Sequence, residues 1–147
     1  MPGETSLVGG DVTWDNVANA NVQPFQVMSV DASNSSTQIT AALIAPASGT
    51  PVPIGVAYDQ AKLDMSGNPV TGSGVSIRYL GIARVVADGA VTAGAFVKPS
   101  TTTAGRVTPA TKAIAGAQPL PVVGIALKAA QNAGDQILVL LTPGGMF

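Results

Sequence analysis

The residues of this chain that could do chemistry are few and scattered. Its carboxylates are Glu4, Asp11, Asp15, Asp31, Asp59, Asp64, Asp88 and Asp135, and it has neither histidine nor cysteine. Without His, the commonest general base and metal ligand is gone. Without Cys as well, the usual catalytic triads and zinc–thiolate sites cannot be built. A Ser–Lys pair is the remaining nucleophilic option, yet Lys62, Lys98, Lys112 and Lys128 sit in no recognisable nucleophile context. No GxSxG occurs. Gly72-Ser73-Gly74 lacks the Lys or third Gly of a phosphate or dinucleotide loop and reads as a turn. Asp59 and Asp64 are close enough in sequence to share a cation. They lack the alternating ligand spacing of a calcium loop, so they read as solvated surface. Asp88 and Asp135 stand beside glycine, as turn residues do. The sequon Asn34-Ser35-Ser36 has no secretory context to give it meaning. These residues point to no reaction, no cofactor and no metal.

Composition narrows the class. Hydrophobic residues make up 46% of the chain and aromatics only 4%, so a core must be built from Val, Ile, Leu and Ala. The length of 147 residues suits one domain with a real core. Charged residues are 10% and the net charge is −1, against roughly 25% charged in an average soluble protein. So sparse a charge gives water little to hold. It implies that other protein covers much of the surface in the working state. The plainer alternative is a monomer kept in solution by Ser, Thr, Asn and Gln. No run approaches the roughly 20 apolar residues of a membrane helix; the longest candidate, residues 137–141, is strand-sized. The opening MPGETSLVGG has no basic segment followed by an apolar one and does not read as a secretory signal. Seven scattered basic residues form no patch for nucleic acid.

The elements that must position these residues are strands. Residues 1–21 hold Gly, Asn, Asp and one Trp with no sustained period, and read as an extended arm. From Val22 onward, short apolar runs alternate with turn residues, the signature of an all-β chain. The candidate strands are 25–30, 38–45, 75–86, 95–98, 122–127 and 136–141, with two short strands joined by a polar loop expected between 94 and 107. Residues 32–58 carry no charge, and Pro46, Pro51 and Pro53 restrict central strand pairing there. That stretch is either a solvated loop or a segment lying against a partner, where a buried charge would be costly. Residues 136–141 are apolar on both faces. Either the strand is covered on both sides, or one face is an oligomer interface.

One pattern is written three times: GVAYDQA from Gly55, GIARVVA from Gly81 and GIALKAA from Gly124. The spacings of 26 and 43 are unequal and make no solenoid array. In Val75-Ser76-Ile77-Arg78-Tyr79 the apolar residues fall on odd positions; at Leu80-Gly81-Ile82 they shift to even ones. A period of two cannot change face without an irregularity, so Gly81 is expected at a bulge or sharp bend. Gly55 and Gly124 are expected where a strand starts or bends and no side chain fits. The first copy also fits one helical turn through Tyr58, Asp59 and Gln60.

The ordered series Gly55-Val56-Ala57, Gly81-Ile82-Ala83-Arg84-Val85, Ala90-Val91-Thr92-Ala93-Gly94, Gly105-Arg106-Val107-Thr108-Pro109-Ala110, Val123-Gly124-Ile125-Ala126-Leu127 and Gly134-Asp135-Gln136-Ile137-Leu138-Val139 before Pro143-Gly144 resembles the small capsid decoration, or cement, proteins of tailed bacteriophages. The resemblance covers residues 22–147 and leaves the arm at 1–21 outside. It implies an all-β decoration domain, a small β-barrel or sandwich of the tulip-like kind, with an extended N-terminal arm. It also implies a structural virion protein rather than an enzyme, on the outer capsid surface. The expected partners are the major capsid protein and further copies of the chain, commonly as a homotrimer, with no nucleic acid and no membrane. The arm would reach onto the capsid, which makes Val12, Trp14, Val17 and Phe25 the candidate contacts. Trp14 could equally plug its own domain. Gly55, Gly81 and Gly124 are the structural glycines. The competing class is a virion-surface β-sandwich that binds host carbohydrate; with Trp14, Tyr58 and Tyr79 the only Trp or Tyr, it has few planar groups to offer.

Overall fold

Val, Ile and Thr pack well on a pleated surface, and Gly and Pro punctuate them every few residues, so the chain builds short strands. The computed structural model describes residues 10–16, 22–30, 43–48, 52–60, 62–68, 70, 74–111 and 121–142, with the backbone alone at 10–16 and 43–45. Ten strands run through it: β1 (Gly10–Asn16), β2 (Val27–Val30), β3 (Leu43–Pro46), β4 (Pro53–Ala57), β5 (Gly74–Leu80), β6 (Ile82–Asp88), β7 (Phe96–Pro99), β8 (Val107–Pro109), β9 (Gly124–Ala126) and β10 (Ala133–Leu141). The described residues contain no helix. The first five strands close into a barrel in the order β1-β3-β2-β4-β5. The last five form a separate sheet that also pairs round to closure, β6-β8-β7-β9-β10.

The two rings share one strand order: β1 to β5 correspond one for one to β6 to β10. Each contains a single parallel pair, β1 with β3 and β6 with β8. The registers agree as well. Met28 lies opposite Gly55 and Pro46, and Val97 lies opposite Gly124 and Pro109. Val56 faces Arg78, and Ile125 faces Leu140. Even the turns match. The Phe25 N–H donates to the Ala57 carbonyl at 2.8 Å, and the Gly94 N–H to the Ala126 carbonyl at 2.7 Å. The Tyr58 N–H donates to Ser76 at 2.8 Å, and the Leu127 N–H to Leu138 at 2.7 Å. Positions 25, 55 and 58 of the first unit thus correspond to 94, 124 and 127 of the second, and 76 and 78 to 138 and 140. The described chain is one five-stranded unit written twice.

A shared wall joins the units. On β2 and β4, Met28 and Ala57 point into the first barrel with Val22, Val75 and Ile77. Val27 and Val56 point the other way and join Ala83, Val85, Val97, Val107, Ile137 and Val139 in the larger core cluster. Both faces of β2 and β4 are therefore covered. Backbone hydrogen bonds reinforce the joint: Val27 N–H to Gly105 O at 2.8 Å, and Gly105 N–H to Ala47 O at 2.7 Å.

Several elements differ from the sequence reading. Residues 10–16, within the stretch read as an arm, form β1, which pairs with β5 on one side and β3 on the other. Val12-Thr13-Trp14 has strand propensity, but over too few residues for a period to show. Pro53 does not bar pairing, because it is the first residue of β4. The first Gly-Val-Ala copy is strand, and the helical turn is absent there. The run 75–86 is two strands broken at Gly81, whose φ of 87° makes the corner between the units. The expected change of face does not follow: Ala83, Val85 and Ala87 are buried, and Leu80 and Ile82 are 44% and 45% exposed. Most of 32–51, including the sequon, lies outside the described residues, as do Glu4, Val17, Lys112 and Pro143-Gly144.

Candidate interaction face and cleft

Strands β6 and β10 alternate cleanly. Ala83, Val85 and Ala87 of β6 and Ile137, Val139 and Leu141 of β10 fill the core. Their outward neighbours lie directly opposite one another: Leu140 with Ile82, Leu138 with Arg84, Gln136 with Val86. Residues opposite in an antiparallel pair share a face. Leu138 and Leu140 are each 40% exposed, so among the described residues one face of β10 is open. Exposed Leu127 and half-buried Ile125 extend the same surface toward β9.

Beside this face, where the units meet, lies a cleft of about 420 Å³ lined by Phe25, Val56, Ala57, Tyr58, Arg78, Ala83, Arg84 and Leu138. Its floor is apolar and its cations are held by rings. The Arg78 guanidinium lies 4.6 Å from the Tyr58 centroid, and Arg84 lies 5.4 Å from that of Phe25. Such contacts contribute about 0.5–1 kcal/mol at exposed sites, and they orient the cation. Arg78 also donates to the Ile82 carbonyl at 3.2 Å, and Arg84 to Gln136 Oε1 at 3.4 Å. An adjoining cleft of about 320 Å³ shares Arg84 and Leu138 and adds Lys128, Gln136 and Ile137.

Phe25 reaches this place through an unusual backbone. Gln23-Pro24-Phe25-Gln26 is a tight turn, with Pro at its second position and a weak 3.4 Å bond from Gln26 N–H to Gln23 O. Its third residue, Phe25, has φ 70° and is the non-glycine residue with positive φ among those described. Glycine normally takes that position, and the corresponding residue of the second unit is Gly94.

The carboxylates shape turns instead. Asp64 accepts from Asn68 N–H at 2.9 Å and Ser66 N–H at 2.8 Å, and these bonds, Asn68's chiefly, hold its pKa below the ordinary value. Asp135 accepts from the N–H groups of Asn132 and Gln131, both at 2.9 Å, and is likewise lowered, with help from the Lys128 charge. Asp88 takes the Ser100 hydroxyl at 2.5 Å, the largest cause of its lowered pKa, and stands 3.6 Å from Arg106. Among the described residues no three carboxylates gather where a metal could sit.

Of the sequence candidates, Phe25 lines the cleft. Val12 and Trp14 lie on β1, opposite Ile77 and Val75, with β5 between them and β4. Val17 lies outside the described residues. A Cβ at Gly55 would run into the Arg78 carbonyl oxygen and come within 2.6 Å of Ile77 Cγ2; one at Gly124 would run into the Leu140 carbonyl oxygen. Sequence reasoning missed Tyr58, Arg78, Arg84, Lys128 and Leu138 as members of one surface. The one available signal was the second apolar face of residues 136–141.

No family model and no curated protein matches the sequence. In fold, the chain is similar to the N base of head fiber gp8.5 of bacteriophage phi29, with a TM-score of 0.61 over 91% of this chain and 94% of that one at 17% identity.

Proposed function

We propose that this chain is a structural protein of a phage head that binds the outer surface of the assembled capsid and stabilises it by bridging major capsid protein subunits. The observation that carries the reading is the likeness, over nearly the whole chain, to a protein described as part of a phage head fiber. Three features of the chain support it. Only 10% of its residues are charged, and it lacks both His and Cys. Its outer β6–β10 face presents Ile82, Leu138 and Leu140 to solvent. Its cleft joins an apolar floor to oriented cations. In this reading the chain performs no reaction and works as a homotrimer. One modest contact per subunit then becomes strong, since linked sites gain roughly 10²–10⁴ in avidity when geometry lets them engage together. Attachment runs through preformed surfaces. β1 is paired along one edge with β5 and, at Asp15 and Asn16, with β3 on the other, so residues 10–16 are held in the barrel as one of its strands rather than reaching out as a free arm.

The test is co-sedimentation of the purified chain with expanded and with unexpanded phage capsids, alongside its mass in solution. Saturable binding to expanded shells, in multiples of three per site, is expected. Binding to neither shell, with capture on a glycan array, would replace this reading with that of a carbohydrate-binding virion domain.

A further inference from the structure

We infer that the cleft between the units is the seat of a carboxylate-bearing segment of the capsid protein, with Arg84 receiving the carboxylate and Leu138 packing against an adjacent apolar side chain. The inference rests on the capsid-attachment reading above and names the contact that reading requires. Five observations carry it. Arg84 is fixed in place by the Phe25 ring and by Gln136, and it forms no ion pair among the described residues. The two clefts that share Arg84 also take in Arg78 and Lys128, three of the chain's seven cations, and among the described residues no carboxylate lines either one. The nearby Asp135 oxygen is occupied by two backbone N–H groups.

The remaining observations come from the repeated unit. Where the first unit has Phe25, Tyr58 and Arg78, the second has Gly94, Leu127 and Leu140 at the corresponding places. The fold thus does without the ring and the cation in one of its two copies. A Phe held at positive φ, where the twin position uses glycine, keeps a backbone strain that the barrel does not need. Strain of that kind persists where a side chain must be aimed.

The chemistry selects the occupant. A guanidinium set beside apolar surface is suited to a carboxylate flanked by an apolar side chain. A nucleic acid would call for a long track of cations, and the face offers three above an apolar floor. A second copy laid face to face would bring the same three cations against each other.

The experiment is co-sedimentation of the full chain with expanded capsids, comparing wild type with Arg84→Glu, Phe25→Gly and a control, Lys62→Glu, on an exposed loop away from both clefts. Thermal unfolding confirms that each variant is folded. Arg84→Glu should weaken binding about tenfold or more, Phe25→Gly should weaken it severalfold, and Lys62→Glu should leave it unchanged. Equal binding by Arg84→Glu and wild type overturns the inference and leaves the attachment reading standing. Equal losses for Arg84→Glu and Lys62→Glu show general electrostatics and also overturn it. A change in solution mass in Arg84→Glu makes the cleft a contact between copies, again overturning it. A wild type that binds no shell removes the attachment reading and this inference together.

Discussion

Phe25 offers a stability measurement that isolates backbone strain. Replacing it by Ala or by Gly removes the same ring. A fully buried Phe is worth about 1.5–3 kcal/mol, so a half-buried one contributes about 1, and the contact with Arg84 adds about 0.5–1 kcal/mol. Either variant therefore forfeits about 2 kcal/mol. They differ at the backbone. At φ 70° a Cβ costs about 1–2 kcal/mol, which Ala retains and Gly relieves. Against this, the freer unfolded chain of Gly takes back about 0.4–1 kcal/mol. The Gly variant should thus be the more stable by about 0.5–1 kcal/mol, although Gly is normally the destabilising choice. In a chain of this size that gap is about 1–4 °C in Tm, readable as a shift of the urea midpoint at constant slope. Binding should not follow stability, because both variants lack the ring. An Ala variant as stable as the Gly variant would refute the reasoning, since the strain held at this turn would then be no larger than the about 0.4–1 kcal/mol that the freer unfolded chain of Gly costs.

Two further outcomes are expected. Gly124→Ala should destabilise by about 1–3 kcal/mol, because the added Cβ meets the Leu140 carbonyl and lies 2.8 Å from its carbon and 2.9 Å from Val139 Cγ1; β9 must then shift away from β10, and an unchanged denaturation midpoint would refute the close approach. The acid limb should begin late. Asp64, Asp88 and Asp135 have folded pKa values below the ordinary 3.8, so their contribution is fully present above 3.8 and is lost as pH falls through the folded values. With no histidine to titrate, the urea midpoint should stay flat from pH 7 to about 5; a fall within that window would contradict this assignment.

The all-β class and most strands were legible because alternation and turn residues carry them. Residues 75–79 alternate as a half-buried strand should, and Val75 and Ile77 are fully buried. Three features were hidden for physical reasons. Leu80, Ile82, Leu138 and Leu140 look like core, since an apolar residue does not declare whether its own chain or another covers it. Strand β4 was masked by Pro51 and Pro53, although a Pro at a strand's first residue removes no essential ladder bond. The cleft draws on positions 25, 58, 78, 84 and 138, which only the closure of two barrels brings together. The duplication was hidden too, because register is conserved by backbone geometry while side chains differ, as Phe25 and Gly94 do.

The duplication explains the pattern written at Gly55, Gly81 and Gly124. The first and third copies occupy one place in the repeated unit: Gly55 opens toward Arg78 of β5, and Gly124 toward Leu140 of β10, each passing a neighbouring carbonyl too closely for a Cβ. The second copy has another task. Gly81 takes a positive φ at the corner between units, and its carbonyl accepts the Leu141 N–H at 2.9 Å. One motif therefore serves two physical needs, close approach and a left-handed corner, and both exclude a side chain. This division also locates the freedom to evolve a contact. The glycines are fixed by the barrel, whereas the residues just before and after each repeated core, such as 25 and 58 against 94 and 127, are tolerated as aromatic in one unit and as Gly or Leu in the other. A docking surface built at those places can change its partner without disturbing the fold that presents it.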